Sequence, residues 1–454
     1  MVNSLRLPKD VKLILNLLEE NGYEAYAVGG CVRDTLLGKE PKDWDICTNA
    51  KPNEVMSVFG GFQIIETGLQ HGTVTVVVNS IGYEITTYRI DGEYSDGRHP
   101  DAVEYTTNLA EDLSRRDFTI NAMAYSEKEG IVDLFGGIDD LKAGKIKCVG
   151  VARDRFNEDA LRILRALRFA SVLGFTIEKE TKDAIFELYT NLDKIAAERI
   201  NVEFSKMILG VNNVKILREY EEVYSYIIPE MQKMVGFEQH SPWHRFDVWE
   251  HTLAVLRKVG RENLPLALAA VFHDIGKPKA FFMGDDGFGH FYGHPDISVE
   301  IAEEVLKRLK YSNEIIDETL WLVKYHDNDY IPNKKYVRKM LGKAGNLGKD
   351  SKEMLGLLLK LRRADVLGQS YMKRQERLSE VDILEDILRD FEVEDDCFTL
   401  KQLKLNGNDL MEMGMKSGKE MGVILNDLLE KVMNEELENN KEILVKFVRE
   451  NYNV

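Results

Sequence analysis

Two aspartates two positions apart are the first residues in this chain whose spacing points to chemistry. Asp43 and Asp45 lie in DWDICT, a run that predicts a strand. Because side chains alternate along a strand, both carboxylates would lie on one face. Mg²⁺ is usually held by one or two carboxylates together with substrate phosphates. The spacing therefore predicts a divalent-metal site, and Glu84 in YEITTYR is the best candidate for a third carboxylate.

A glycine pair precedes these aspartates. Gly29 and Gly30 separate the strand-like run YEAYAV from VRDTLLG, which suits a short helix. The N–H groups and dipole of a helix N-terminus favour phosphate, and Arg33 would add a two-pronged phosphate donor. Taken alone, an Asp-x-Asp pair or a Gly pair is common by chance or as a turn. Only their combination favours a phosphate site over a turn.

Polar residues that fit the rest of a nucleotide follow in RRDFTINAMAY. Its two arginines can bind phosphate, and its aspartate and asparagine can bond to ribose hydroxyls. The predicted residues of this block are Arg115, Arg116, Asp117 and Asn121.

A helix is predicted from an N-cap at Asn157 to about Gly174. Within it, Asp159 and Arg162 are three positions apart and would share one face, where they offer acceptors and donors to a base edge. Arg165 and Arg168 continue this face toward a triphosphate. The alternative is an ordinary amphipathic helix with a surface ion pair, worth about 0.2–0.5 kcal/mol.

In order, these blocks resemble class II tRNA nucleotidyltransferases and poly(A) polymerases, members of the polymerase-β-like superfamily. GGCVRDTLLGKEPKDWDI resembles the family signature, and DLSRRDFTINAMAY (112–125) resembles its nucleotide-contacting motif. RFNEDALRILRALRFA (155–170) resembles the base-recognition helix, and ERINVEF (198–204) the neck motif. The resemblance implies two Mg²⁺ ions in the head and tRNA, CTP and ATP as partners. It also implies that Asp159 and Arg162 replace a nucleic-acid template.

Six of the nine histidines fall between positions 240 and 294. The blocks DVWEHTL, VFHDIGKP, HFYGHPDIS, YHDND and RRADVLG resemble the HD phosphohydrolase superfamily. This resemblance implies a transition metal or Mg²⁺, with a metal-bound water that attacks a phosphoester. The implied one-metal set is His251, His273, Asp274 and Asp365, and a second metal would add His294 and His326.

The expected class is α+β, with a polymerase-β-like head of mixed sheet and helices followed by helical domains. The expected domains are the head (1–150), a helical neck (151–235), an HD-like domain (236–372) and a body or tail that binds tRNA (373–454). No run reaches the ~20 apolar residues of a membrane span, and four scattered cysteines fit a cytoplasmic protein. The net charge of −17 by itself argues against a nucleic-acid partner, but the arginines cluster locally.

The favoured function is addition or repair of the 3′-terminal CCA of tRNA. The loop 91–101 resembles one that the switch from C to A requires, and the region after the metal motif lacks the Gly-Arg-Arg-Phe-like element of poly(A) polymerases. An A-only enzyme or a poly(A) polymerase stays open on the same fold. Two further alternatives are a phosphohydrolase with an inert head and a non-enzymatic RNA-binding protein.

Overall fold

The computed structural model describes residues 5–91, 103–347, 350–391, 397–416 and 418–452. Contacts divide the chain into two compact units, Met1–Ile227 and Ile228–Val454. The first unit combines a sheet with helices, and the described part of the second is helical apart from one short hairpin. The predicted α+β class is confirmed, whereas the four domain boundaries stay predictions.

A mixed seven-stranded sheet forms the centre of the first unit, in the order β3-β4-β5-β2-β1-β8-β9. Its neighbouring strands run antiparallel except β2 and β5, which are parallel. Alternating apolar residues explain the strands: in β4 every second side chain is buried. The strands of this unit are β1 (Ala25–Val28), β2 (Ile46–Thr48), β3 (Gln63–Ile65), β4 (Thr73–Val78), β5 (Ile81–Thr87), β6 (Arg89–Asp91), β7 (Val103–Tyr105), β8 (Met123–Ser126), β9 (Gly130–Asp133), β10 (Lys145–Ile146) and β11 (Thr176–Ile177).

Amphipathic helices accompany this sheet and form the rest of the first unit. The first buries Val11, Ile14, Leu15 and Leu18, which recur at helical spacing. The helices are α1 (Lys9–Glu20), α2 (Gly30–Leu36), α3 (Pro52–Val58), α4 (Leu109–Ser114), α5 (Gly137–Lys142), α6 (Ala152–Glu158), α7 (Leu161–Leu173), α8 (Lys179–Leu188), α9 (Ala197–Ile208), α10 (Asn213–Glu219) and α11 (Glu221–Ile227).

The second unit is built around α14, whose sequence LPLALAAVF is buried from Leu266 onward. A helix that is apolar all round belongs in a core. The elements are α12 (Pro229–Gln232), α13 (Val248–Lys258), α14 (Leu264–Phe272), α15 (Lys277–Ala280), β12 (Phe282–Met283), β13 (Gly289–His290), α16 (His294–Arg308), α17 (Asn313–Tyr325), α18 (Lys334–Ala344), α19 (Ser351–Gly368), α20 (Arg374–Asp390), α21 (Gly407–Glu412), α22 (Lys419–Met433) and α23 (Lys441–Asn451).

The structure differs from the predicted helix at its start and agrees with it at its end. The single helix expected from Asn157 is wrong, because the chain breaks between α6 and α7 at Asp159, which has extended backbone angles. The predicted end is confirmed, since Gly174 caps α7 in the left-handed conformation. The loop that favoured CCA addition lies, apart from Asp91, outside the described residues.

Candidate functional site

Three carboxylates lie together at one edge of the strand pair β2–β5. Asp43 and Asp45 precede β2, so the expected strand begins later than predicted, at Ile46. The parallel register aligns Ile46 with Ile85, which sets Asp45 beside Glu84 one position earlier. Glu84 is thus the third carboxylate of this group, 39 positions along the chain from Asp45 but adjacent in the sheet.

These carboxylates repel one another. Asp45 and Glu84 are both exposed, yet neighbouring protein atoms partly desolvate them. Desolvation raises the pKa of Asp45, the charge of Asp43 raises it further, and Arg116 opposes both. Desolvation also raises the pKa of Glu84, with added repulsion from Asp45 and Asp43. Carboxylates whose charges raise the pKa of a neighbouring carboxyl favour a cation between them. The group therefore fits a hard divalent metal.

Beside these carboxylates lies a cavity of about 450 Å³ whose fifteen lining residues include seven arginines. It includes every predicted nucleotide-binding residue and Asp45. The sequence reasoning had not singled out Leu161, Phe169 or Arg199, which also line it. The full lining is Gly29, Gly30, Arg33, Asp45, Arg115, Arg116, Asp117, Asn121, Asp159, Leu161, Arg162, Arg165, Arg168, Phe169 and Arg199.

Position 29, which lines this cavity, requires a glycine for two reasons. Its φ of 80° lies in the left-handed region, where a side chain is strained. A Cβ at this position would also lie 3.1 Å from the Arg116 guanidinium. The glycine therefore lets the turn before α2 approach an arginine of the cavity closely.

A buried aspartate that the sequence reasoning missed holds the arginine pair. Asp112 is fully buried on α4 and accepts hydrogen bonds from Arg115 at 2.8 and 3.0 Å and from Arg116 at 3.3 Å. Burial raises the pKa of Asp112, but the two arginines outweigh it and leave the pKa below its usual value. Asp112 thus orients both guanidiniums of the predicted phosphate site.

Asp117 organises the next part of the cavity. Arg165 donates to its Oδ2 from Nε at 2.8 Å and from Nη2 at 2.5 Å, while Asn121 and the Phe118 backbone donate to Oδ1. Burial raises the pKa of Asp117, but Arg165 and these hydrogen bonds lower it to about 2. Asn121 in turn accepts a 2.5 Å hydrogen bond from Arg33. Four of the predicted residues therefore form one network, namely Arg33, Asp117, Asn121 and Arg165.

Asp159 and Arg162, the two residues predicted to read the base, each pair with a different side chain. Asp159 lies before α7, where its Oδ1 accepts from the Leu161 N–H, and it pairs with Arg199 of α9 at 2.8 Å. Arg162 pairs instead with Glu158 at 2.6 Å and donates to the Arg115 carbonyl. The two residues do not share one face of one helix, because the backbone break places Asp159 before α7, but both line the same cavity.

Phe169 lies among the arginines of this cavity. The guanidinium carbons of Arg168, Arg33 and Arg165 lie 4.0, 5.1 and 5.5 Å from its ring centroid. Arg168 is also paired with Glu203 of α9 at 2.8 Å. A ring face attracts cations, so Phe169 stabilises three arginines that would otherwise repel one another.

A second cluster lies in the second unit, where histidines from several helices surround Asp274. Two groups of three ligand atoms, each within 4.8 Å of one another, share this aspartate. Asp365 joins the first group through a 3.1 Å contact with His251. The structure thus brings all six predicted residues together. The two groups are His251, His273 and Asp274, and Asp274, His294 and His326.

In this cluster the ring nitrogens of two histidines face each other and the carboxylate of Asp274. Nδ1 of His294 and His326 lie 2.9 and 2.6 Å from the backbone carbonyls of Phe291 and Val323, so each Nδ1 carries the proton. Their Nε2 atoms face each other at 3.2 Å and face Asp274 Oδ1 at 3.2 and 3.6 Å. Imidazole nitrogens and carboxylate oxygens that converge in this way fit a bound metal ion.

The fold and the first-unit site define a nucleotidyltransferase. Family models agree with this class. A model described as "Poly A polymerase head domain" matches residues 25–147, and "Probable RNA and SrmB- binding site of polymerase A" matches 174–234. A tRNA nucleotidyltransferase domain 2 model matches residues 291–448. The matches therefore extend into both units.

Individual relatives show which family of nucleotidyltransferases the chain belongs to. A CCA-adding enzyme from Ligilactobacillus salivarius is 34% identical over 453 residues, covering 97% of this chain and 96% of its own. The chain belongs to the CCA-adding enzyme family. One from Leuconostoc mesenteroides is 53% identical over 201 residues, 44% of this chain and 50% of its own. The match thus spans about half the length of that relative.

Solved structures give the same fold. The CCA-adding enzyme of Bacillus stearothermophilus, solved in complex with CTP, superposes with a TM-score of 0.72 at 27% identity and covers 98% of both chains. That of Thermotoga maritima, solved with tRNA, has a TM-score of 0.56 at 20% identity and covers 98% of this chain and 96% of its own. None of the helices in the described part of the chain is long and apolar enough to cross a membrane.

Proposed function

We propose that this chain adds the 3′-terminal CCA to tRNA from CTP and ATP. The observation that carries the proposal is the arginine-lined cavity beside three mutually repelling carboxylates. Relatives that match nearly the whole chain are CCA-adding enzymes, one of them solved with CTP. A triphosphate would neutralise the arginines, and divalent metal would neutralise the carboxylates.

In this reaction the tRNA 3′-hydroxyl gives its proton to solvent and its oxygen bonds to the α-phosphorus. The bond from that phosphorus to the oxygen bridging to the β-phosphate breaks, and pyrophosphate leaves with the electron pair. Bound Mg²⁺ would lower the pKa of the 3′-hydroxyl and balance the leaving charge. Asp43, Asp45 and Glu84 would hold the metal. Arginines anchored by Asp112 and Asp117 would fix the triphosphate, which makes the attack effectively intramolecular.

The test supplies tRNA ending before the first C, after one C and after two, each with one nucleotide at a time. We expect CTP to be used by the first two ends and ATP only by the third. An Asp43→Ala variant, which removes one carboxylate, should lose all incorporation. Addition of A alone would favour an A-only enzyme, and a long A tract would favour a poly(A) polymerase.

We also propose that the second unit is a metal-dependent phosphohydrolase. The converging ring nitrogens around Asp274 support it, since the Nε2 atoms of His294 and His326 lie 3.2 Å apart and both face the same carboxylate oxygen. Burial lowers the pKa of His273, which keeps this imidazole neutral and able to bind metal. Burial raises the pKa of Asp274, but His273 and Lys277, whose Nζ lies 2.7 Å from the carboxylate, hold it well below its ordinary value. The bound metal would supply an activated water for attack on a phosphoester.

Metal titration followed by hydrolysis of bis(p-nitrophenyl) phosphate tests this second proposal. We expect Mn²⁺, Ni²⁺ or Zn²⁺ to bind to the wild type and to bind at least about tenfold more weakly to His273→Ala. CTP incorporation should be unchanged in that variant. Equal metal binding by both proteins would contradict the proposed site, and absence of hydrolysis with every metal would contradict the activity.

A further inference from the structure

A cavity of about 750 Å³ lies in the second unit between α18, α22 and the segment 397–401. Its volume is within the range of small-molecule sites. At Gly342 the backbone of α18 packs directly on that segment, because a Cβ there would lie 2.7 Å from the Phe398 carbonyl oxygen. The described lining of this cavity shares no residue with the histidine cluster or with the arginine-lined cavity of the first unit. It is therefore a separate site.

The charge of this cavity is strongly positive. Four lysines line it, against a single carboxylate, that of Glu430. Lys335, Lys339 and Lys343 recur at intervals of four along α18 and so share one face of the helix, while Lys401 comes from the facing segment. Like charges at this spacing destabilise a helix. In a chain of net charge −17, such a local excess of lysine favours a bound anion.

Lys343 is the most constrained of these lysines. Its side chain is half-buried, and its Nζ lies 4.4 Å from the centroid of the Tyr325 ring. Burial lowers the pKa of Lys343, and repulsion from Lys339 and Lys324 lowers it further. An anion placed between Lys339 and Lys343 would relieve this repulsion.

The opposite wall of the cavity is apolar. Phe398 and Leu429 are buried beneath it, and Leu400 is 42% exposed beside them. Met433 lies one helical turn after Leu429 on the same face of α22. An inorganic anion would leave this wall in contact with water, whereas a ligand with an apolar body would cover it. The cavity thus combines a cationic side with an apolar one.

We propose that this cavity binds a small organic phosphate. Its phosphate group would lie between Lys339 and Lys343, and its apolar or aromatic body would lie against Phe398, Leu400 and Leu429. A polynucleotide backbone would use the lysines but leave the apolar wall uncovered. The site is separate from the residues assigned to nucleotide transfer, so the inference does not rest on that activity.

Lysine labelling of the full chain with pyridoxal 5′-phosphate tests the proposal. The aldehyde condenses with a lysine amine and releases water, borohydride reduces the imine to a stable amine, and peptide mass spectrometry locates it. The described lining of the first-unit cavity contains arginines but no lysine, so nucleotide bound there does not give this signal. Labelling of the four cavity lysines is measured relative to exposed Lys206 of α9. This ratio should be roughly tenfold or more higher than with pyridoxal, which lacks the phosphate and its charge-assisted hydrogen bonds.

Competition tests the apolar wall. Phenyl phosphate should suppress the labelling at a roughly tenfold or more lower concentration than inorganic phosphate, because its ring is removed from water. Leu400→Ser should abolish this advantage. Ile383→Ser provides the matched control, since Ile383 is 44% exposed on α20 of the same unit but does not line the cavity. It should behave like the wild type.

A second pair of variants tests the cationic side. Lys339→Gln should lower the phosphate-dependent labelling of the remaining cavity lysines. Lys334→Gln makes the same charge change on the same helix, at a position that does not line the cavity, and should leave the labelling unchanged.

Three results would overturn the proposal. The first is equal relative labelling by pyridoxal 5′-phosphate and pyridoxal, and the second is equal suppression by phenyl phosphate and inorganic phosphate. The third is protection by tRNA, which we expect to leave the labelling unchanged, because protection would assign the lysines to a polynucleotide backbone. Equal effects of Leu400→Ser and Ile383→Ser, or of Lys339→Gln and Lys334→Gln, would also contradict it. None of these measurements requires CTP incorporation, so the proposed transfer activity can fail while this site stands.

Discussion

Replacing Asp117 with asparagine removes one charge from the centre of the head cavity with little change of shape. The folded pKa of Asp117 is about 2, against an ordinary value of 3.8. A difference of about 1.8 units corresponds to about 2.5 kcal/mol at 1.36 kcal/mol per unit. The Asp117 side chain is only 8% exposed, so solvent screens its attraction to Arg165 only weakly. We expect Asp117→Asn to destabilise the head by about 2–3 kcal/mol, since it also leaves Arg165 without its partner.

The assay must report on the head alone, because the chain has two units and global unfolding need not be two-state. Hydrogen exchange of peptides from α4 through α7, followed against urea, provides this. A double-mutant cycle with Arg165→Met isolates the pair, and we expect a coupling energy of about 2 kcal/mol. A coupling below about 0.5 kcal/mol would refute the reasoning.

The same pair predicts a pH dependence. Because the folded pKa lies below the unfolded one, the stabilisation is fully present above pH 3.8 and is lost as the pH falls toward 2. The difference in stability between the wild type and Asp117→Asn should therefore shrink over this range. A difference that stays constant down to pH 2 would show that the carboxylate charge is not its source.

Three further predictions concern the head. Asp43→Asn should reduce CTP incorporation by roughly a thousandfold or more with unchanged hydrogen exchange; retention of a tenth of the activity would contradict its role. Desolvation and the charge of Asp43 raise the pKa of Asp45 above 3.8, so CTP incorporation should already decrease as the pH is lowered toward that value. A higher Mg²⁺ concentration should shift this decrease to lower pH, because the metal competes with protons for the carboxylate. A decrease that does not depend on Mg²⁺ would contradict this role. Arg199→Ala should release Asp159 and raise UTP incorporation relative to CTP roughly tenfold, whereas exposed Lys206→Ala on the same helix should not.

Much of this site was predictable because its parts are local. The turn at Gly29 and Gly30, the short helix that carries Arg33 and the C-cap at Gly174 depend on neighbours a few residues away. Such features follow from glycine conformation and from helical period. The motif order then identified the family, because each motif carries its residue types in sequence.

Residue types and their order, which determine family and chemistry, were thus readable from the sequence by itself. Only the tertiary structure decided which charges meet. Register sets Glu84 beside Asp45, and packing brings Arg199 to Asp159 across 40 positions. Helical spacing had placed Asp159 and Arg162 on one helix face, but the backbone break separates them. Histidines from separate helices reach Asp274 in the same way. Electrostatic energy depends on distance and burial, and neither is encoded in the local period.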